Sequence, residues 1–275
     1  MEKIYLKNGI WEAEITPSSG ANVTRLFCGD RQVLRIPEQS VDTYQFGMPI
    51  LIPANRTEAG KFTFEGKTYQ LPVNEPHVPA QLHGLVHDQH FTVESFDETH
   101  AVLSYCNTPE IYPFPFCLTV SYELKENGIF VSHELKNIGA GNMPYTFCLH
   151  TTFVAPTHFK VPLALEQEKN ERNLPTGKYI PLSDKLLPLT EGMNPYGVPT
   201  SGFYRAAGYQ AEIDEFRYTI SENYDHWVLY NASGKDGFLC VEPQCGGVNG
   251  LNQEDNHRVL QAGEKHIFHS SITKS

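Results

Sequence analysis

The stretch Cys117–Leu124, CLTVSYEL, followed by Lys125–Asn127, KEN, and Gly128–Lys136, GIFVSHELK, decides the fold class. Leu118, Val120, Tyr122 and Leu124 alternate with Thr119, Ser121 and Glu123. A side-chain period of two puts these sets on opposite faces of a β-strand. The polar KEN segment then turns the chain into a second strand, so the whole reads as a hairpin.

Working outward, the same signals recur. Strands are expected at Trp11–Ile15, Val23–Phe27, Val33–Ile36, Phe91–Phe96, Ala101–Tyr105, Tyr145–Phe153, Phe216–Ser221, Trp227–Asn231, Phe238–Glu242 and His266–Thr273. With 21 Gly and 19 Pro punctuating these runs, sheets are favoured over helices. No amphipathic helix of ten or more residues is evident, and no repeat or linker. The segment Pro175–Tyr204, rich in Pro, Gly, Ser and Thr, reads as a long ordered surface loop. The expectation is an all-β protein, a large antiparallel β-sandwich in one domain over residues 1–275.

Composition narrows the function. Across 275 residues, 21 Lys and Arg against 32 Asp and Glu give a net charge of −11. Nucleic-acid and anionic-membrane partners are therefore not expected, because both need clustered cations. No apolar run approaches the roughly 18 residues of a membrane helix, and the start of the chain does not read as a signal peptide. Cys28, Cys106, Cys117, Cys148, Cys240 and Cys245 form no CxxC pair, so buried free thiols in a cytoplasmic protein are expected. Signatures for dinucleotides, nucleoside triphosphates, zinc proteases and serine hydrolases are missing. His83, His87 and His90 have ligand-like spacing, but LHGLVHDQH sits among strand-like sequence, so a metal site is not favoured.

Four polar residues stand where a charge needs a reason. Arg56 ends an apolar run, GMPILIPANR, and a guanidinium there can donate to hydroxyls or a carboxylate; the plainer alternative is a surface pair with Glu58. His83 precedes Gly84, which would let the backbone approach a ligand closely. His150 interrupts the apolar and aromatic run YTFCLHTTF, and Glu242 ends the apolar strand FLCVE before Pro243. Buried imidazoles and carboxylates need partners or a task. Together the four supply an acid, a base, a second imidazole and a cationic donor, a set suited to proton transfer on a polyhydroxylated substrate.

The order of these motifs is informative. NRTEAGKFTFEGKTYQLP, then LHG, YPFPF, a His in a Tyr/Phe-rich strand and CVEPQ resemble the aldose 1-epimerase (galactose mutarotase-like) superfamily over residues 47–252, in a divergent bacterial-type form. The resemblance implies a large β-sandwich, a small-molecule sugar as substrate, no cofactor and no metal, and a monomer or homodimer. It implies that Arg56 and His83 bind substrate, that His150 is the general acid and that Glu242 is the general base. Together they would interconvert the α and β anomers of a free aldose. The alternatives are a hexose-phosphate mutarotase, with Arg25, Arg31 and Arg35 as the nearest cationic group in sequence, or a non-catalytic carbohydrate-binding protein. The superfamily's sugar-binding Asp has no clear match. Asp225 lies too close to Glu242, Asp184 lacks a following His-Asn, and neither is carried over. Phe62, Trp227 and Tyr145 are candidates to stack on a sugar face.

Overall fold

In the computed structural model, which describes residues 3–38, 44–75 and 77–275, the hairpin forms as its pattern predicts. Strand Phe116–Lys125 pairs antiparallel with Gly128–Asn137, with Leu124 opposite Ile129 and Lys125 opposite Gly128. Leu118, Val120, Tyr122 and Leu124 are buried, while Thr119, Ser121 and Glu123 lie at intermediate exposure. Gly128 is required at its position: a Cβ there would meet the Ile272 carbonyl oxygen of the next strand at 2.1 Å.

Among the described residues this hairpin is the centre of an eight-stranded antiparallel sheet. Its order is Thr92–Phe96, His100–Cys106, Phe116–Lys125, Gly128–Asn137, Lys265–Lys274, Phe216–Ile220, Gln210–Ile213, Phe159–Lys160. A second sheet runs Pro175–Pro181, Leu163–Lys169, Ser201–Ala206, His226–Tyr230, Phe238–Cys245, Phe147–Leu149, Ile50–Leu51, with Thr152–Val154 also paired to Phe238–Cys245. The inner faces of the two sheets share one apolar core, which includes Leu118, Val120, Val131 and Phe268 from the first sheet and Phe147, Trp227, Leu239 and Val241 from the second. Phe147 stacks on Phe268 across the sandwich at 4.4 Å between ring centroids. A four-stranded N-terminal sheet of Ile4–Asn8, Trp11–Thr16, Asn22–Cys28 and Arg31–Gln32 extends the same core. Among the described residues no helix is long and apolar enough to cross a membrane.

Strand Phe238–Cys245 is buried along its full length. Leu239, Val241 and Cys245 belong to the sandwich core, whereas the alternation of strand side chains sends Cys240, Glu242 and Gln244 to the other face. That second face is itself covered, which explains why the run reads as continuously apolar.

Four expectations need correction. The run Pro175–Tyr204 is not a loop: it contains strand Pro175–Pro181, the short helix Leu187–Glu191 and the start of strand Ser201–Ala206. Pro175–Pro181 is an edge strand, where proline costs no inner hydrogen bond. Val33–Ile36 forms only a bridge from Leu34 to Phe153. Tyr145–Phe153 is broken into Met143–Tyr145, Phe147–Leu149 and Thr152–Val154. Finally, Cys106 and Cys117 are joined in a disulfide, and only Cys28, Cys148, Cys240 and Cys245 are free and buried. The two bonded cysteines are directly opposed on adjacent strands, a proximity created by strand register and not visible in their spacing.

Candidate active site

The covered face of the second sheet holds a cavity of about 310 Å³. Arg56, His83, His150 and Glu242 all line it, so the four residues singled out from the sequence converge. They arrive from separate segments. Glu242 projects from strand Phe238–Cys245, opposite Val228. His150 sits in the break after Phe147–Leu149, and its amide donates to the Pro49 carbonyl. Arg56 begins strand Arg56–Glu58, which pairs with Ala80–Leu82 so that Arg56 lies opposite Leu82, next to His83.

Glu242 and His150 form the buried centre. Oε1 of Glu242 is 3.3 Å from Nε2 of His150, and neither side chain is more than 5% exposed. Burial pushes the Glu242 carboxyl well above the usual carboxylate range, against weaker opposing effects of Cys148 and Arg56. Burial pushes His150 down to about 4. With both groups withdrawn from water, the neutral forms win: a carboxylic acid beside a neutral imidazole. The acid and base roles implied by the resemblance would put the charge on both, a carboxylate beside an imidazolium. The two descriptions contain the same single proton and differ in which group holds it.

His83 closes one side, its ring perpendicular to that of His150 at 5.0 Å. Burial, helped by His150, His87 and Arg56, holds it well below the usual histidine range. Its Nδ1 is buried without a hydrogen-bond partner among the described residues. His83 has φ +64°, and Gly84 after it also has φ +64°. A Cβ on Gly84 would lie 2.0 Å from the Ile52 carbonyl oxygen. Gly84 thus lets the chain run close beside Ile52, with which it forms a parallel bridge, and the close approach expected for a ligand is made to the protein's own backbone.

Arg56 does not pair with Glu58, which binds Arg172. It forms a fork with Glu75: Nε to Oε2 at 2.7 Å and Nη2 to Oε1 at 2.8 Å. Glu75 also lines the cavity and carries no motif that marks it in the sequence. Tyr44 was also missed. Its ring lies 4.6 Å from His83 and 5.7 Å from His150. Phe203, Val228 and Tyr230 form part of the lining, whereas Phe62, Tyr145 and Trp227 are core residues at 2% exposure or less. The Trp227 indole donates to the Gly208 carbonyl.

Asp225 is elsewhere, at the centre of a network. It accepts from His226 Nδ1 at 2.7 Å, the Gly246 amide at 2.9 Å and Arg258 at 2.5 Å. His226 Nε2 in turn meets the Tyr179 hydroxyl at 2.7 Å. Neither Asp225 nor Asp184 lines the cavity. Arg25, Arg31 and Arg35 do not line it either; Arg31 pairs with Asp214, and Arg25 and Arg35 lie over Phe27 and Phe238.

Among the described residues, the donor atoms close enough together to hold a metal are those of His150, Cys240 and Glu242, within 4.8 Å of one another. Burial raises the Cys240 thiol and the Glu242 carboxyl well above their usual ranges, so each would have to release a proton to become a ligand. His83, His87 and His90 do not form such a group. A larger groove of about 640 Å³ lies on the first sheet. Its His100–Glu123 pair is 3.6 Å apart and solvent-exposed, unlike the buried His150–Glu242 contact.

The family model for aldose 1-epimerase matches residues 2–273. The protein YihR of Escherichia coli strain K12, itself uncharacterized, is 28% identical over 152 residues; the matched stretch is 54% of this chain and 49% of that relative, so the alignment spans about half of its length. Among solved structures, a galactose mutarotase-like protein from Clostridium acetobutylicum superposes with a TM-score of 0.91 at 22% identity, covering 99% of this chain and 95% of the other. A GalM/aldose epimerase homologue from C. elegans superposes with a TM-score of 0.83 at 15% identity, covering 99% and 98%. At these identities the structures establish the shared β-sandwich.

Proposed function

The chain belongs to the aldose 1-epimerase family, and from that premise we propose that it interconverts the α and β anomers of a free aldose. The observation that carries the reading is the buried 3.3 Å contact of His150 and Glu242, with His83 and Arg56 lining the same cavity.

Mutarotation requires that the C1 hydroxyl lose a proton while the ring oxygen gains one. Glu242, as carboxylate, takes the C1–OH proton; His150, as imidazolium, gives its proton to the ring oxygen. The C1–O5 bond breaks and C1 becomes an aldehyde. Rotation about C1–C2 presents the other face, and the reversed transfers close the ring. The starting ion pair forms when sugar hydroxyls donate to the carboxylate and favour its charged form, moving the proton across the short contact to His150. Ring opening returns the pair to the neutral state that burial favours. The transfer is therefore downhill for the protein groups in the step that is hardest for the sugar. An acid and a base each contribute about 10²–10⁴-fold, enough for this reaction. His83 and Arg56 orient the ring by hydrogen bonding.

The test is polarimetry of freshly dissolved α-anomers across a panel of aldoses. Acceleration of at least one aldose, with Glu242→Gln slower by about 10²-fold or more, is the expected result. Wild-type rates in Glu242→Gln would remove the base assignment. Binding of a sugar with no acceleration by the wild type would make the protein a carbohydrate-binding one.

A further inference from the structure

Glu75 touches the cavity but has no part in the proton transfers above. We infer that Glu75 is the charge-selectivity residue of the pocket: it converts Arg56 from an anion receptor into a neutral fork that grips sugar hydroxyls and turns away aldoses carrying phosphate or carboxylate. The inference rests on the reading of the cavity as a sugar site and assigns its substrate class.

A lone arginine at this position would favour an anion, because its paired N–H groups match phosphate or carboxylate oxygens two at a time. Here Glu75 already occupies that edge, through Nε and Nη2. Arg56 and Glu75 are only 16% and 21% exposed, so their charges are weakly screened. What the fork still offers is balanced. Arg56 keeps its remaining N–H donors and each Glu75 oxygen keeps acceptor capacity. A sugar hydroxyl both donates and accepts, so neighbouring hydroxyls fit this donor–acceptor pair. An anionic substituent would meet the carboxylate of Glu75 instead.

The fork is held in place by its own segment. The Asn74 side chain accepts from the Leu82 amide at 2.6 Å and donates to the Leu82 carbonyl at 2.9 Å. The Glu75 amide donates to the Ala80 carbonyl at 3.2 Å. The cations near this rim are also engaged: the Lys169 ammonium donates to the Ser201 carbonyl at 2.6 Å, and Arg172 pairs with Glu58 at 3.0 Å. Phe203 and Val228 are buried apolar lining residues and suit the C–H face of a neutral ring.

The experiment measures binding by saturation-transfer NMR and anomer exchange by polarimetry or NMR. The ligands are glucose and galactose against glucose 6-phosphate and glucuronate. Wild type is expected to bind at least one neutral aldose about tenfold or more tighter than either anion. Glu75→Gln is expected to shift that ratio toward the anions by roughly 10- to 100-fold, the worth of a hydrogen bond to a charged group. Glu75→Asp keeps the charge and is expected to keep the preference, which separates selectivity from folding. Wild-type preference for the anions, with anomer exchange intact, overturns this inference and the free-aldose substrate class, and leaves the anomer-exchange reading standing. An unchanged ratio in folded Glu75→Gln also overturns it. Failure of the wild type to bind either class overturns the sugar reading and this inference together.

Discussion

Glu242 and His150 hold one proton between them, and the pH dependence of the proposed anomer exchange follows from that count. A second proton adds to the pair as pH falls through about 4, where His150 titrates. The pair then has no base and activity falls. The last proton leaves only above the raised Glu242 value, after which the pair has no acid. The expected kcat/KM profile is a bell with its acid limb near pH 4 and its alkaline limb at the raised Glu242 value, since kcat/KM reports the free protein. An acid limb near 6.5 instead would mean that His150 titrates as an ordinary exposed histidine.

Strands and their breaks place the chemistry. The interruption between Phe147–Leu149 and Thr152–Val154 falls at His150 and Thr151, which leaves the imidazole at the cavity while Phe147 stays in the core. Strand His226–Tyr230 serves two places: Val228 lies opposite Glu242, while His226 lies opposite Gln244 and binds Asp225. Burial pushes Asp225 up, yet the bonds from His226, Arg258 and Gly246 prevail and hold it below the ordinary aspartate value. The network ties that strand to the Gly246 turn and to Arg258. Asp225→Asn is therefore expected to cost about 2–4 kcal/mol in urea unfolding, because it leaves half-buried cations unpaired. Polarimetric activity per folded molecule should stay within about twofold. A tenfold loss of activity in the folded variant would place Asp225 in the reaction after all.

Over the whole molecule, histidines buried in neutral form add to the acid sensitivity that carboxylates such as Asp225 bring. His133 faces the core beside Phe147, 1% exposed, and burial together with His269 pushes it down to about 3. Between about 6.5, the unfolded value, and about 3, the unfolded chain binds a proton that the native protein does not. Stability therefore falls as pH falls through that window. His83 and His150 add to the same trend. Glu242, whose native value is raised, works in the opposite direction, above the usual carboxylate value. His133→Leu is expected to lose less stability than wild type between pH 7 and pH 4.5, measured by urea unfolding at each pH. An equal loss in both proteins would assign the acid sensitivity to other groups.

The fold class and the four polar residues were legible along the chain, because both leave local marks. Alternating exposure writes a period of two into Cys117–Lys136, and a His or Glu within an apolar strand stands out against its neighbours. The Arg56–Glu75 fork, the ring contacts of Tyr44, the Asp225 network and the Cys106–Cys117 bond leave no such mark. Each joins residues through strand register or loop crossing, and register depends on pairing between segments far apart in sequence. The protonation of Glu242 and His150 belongs with these. Residue type supplied an imidazole and a carboxyl, but which of them holds the proton depends on how completely the covered sheet face excludes water.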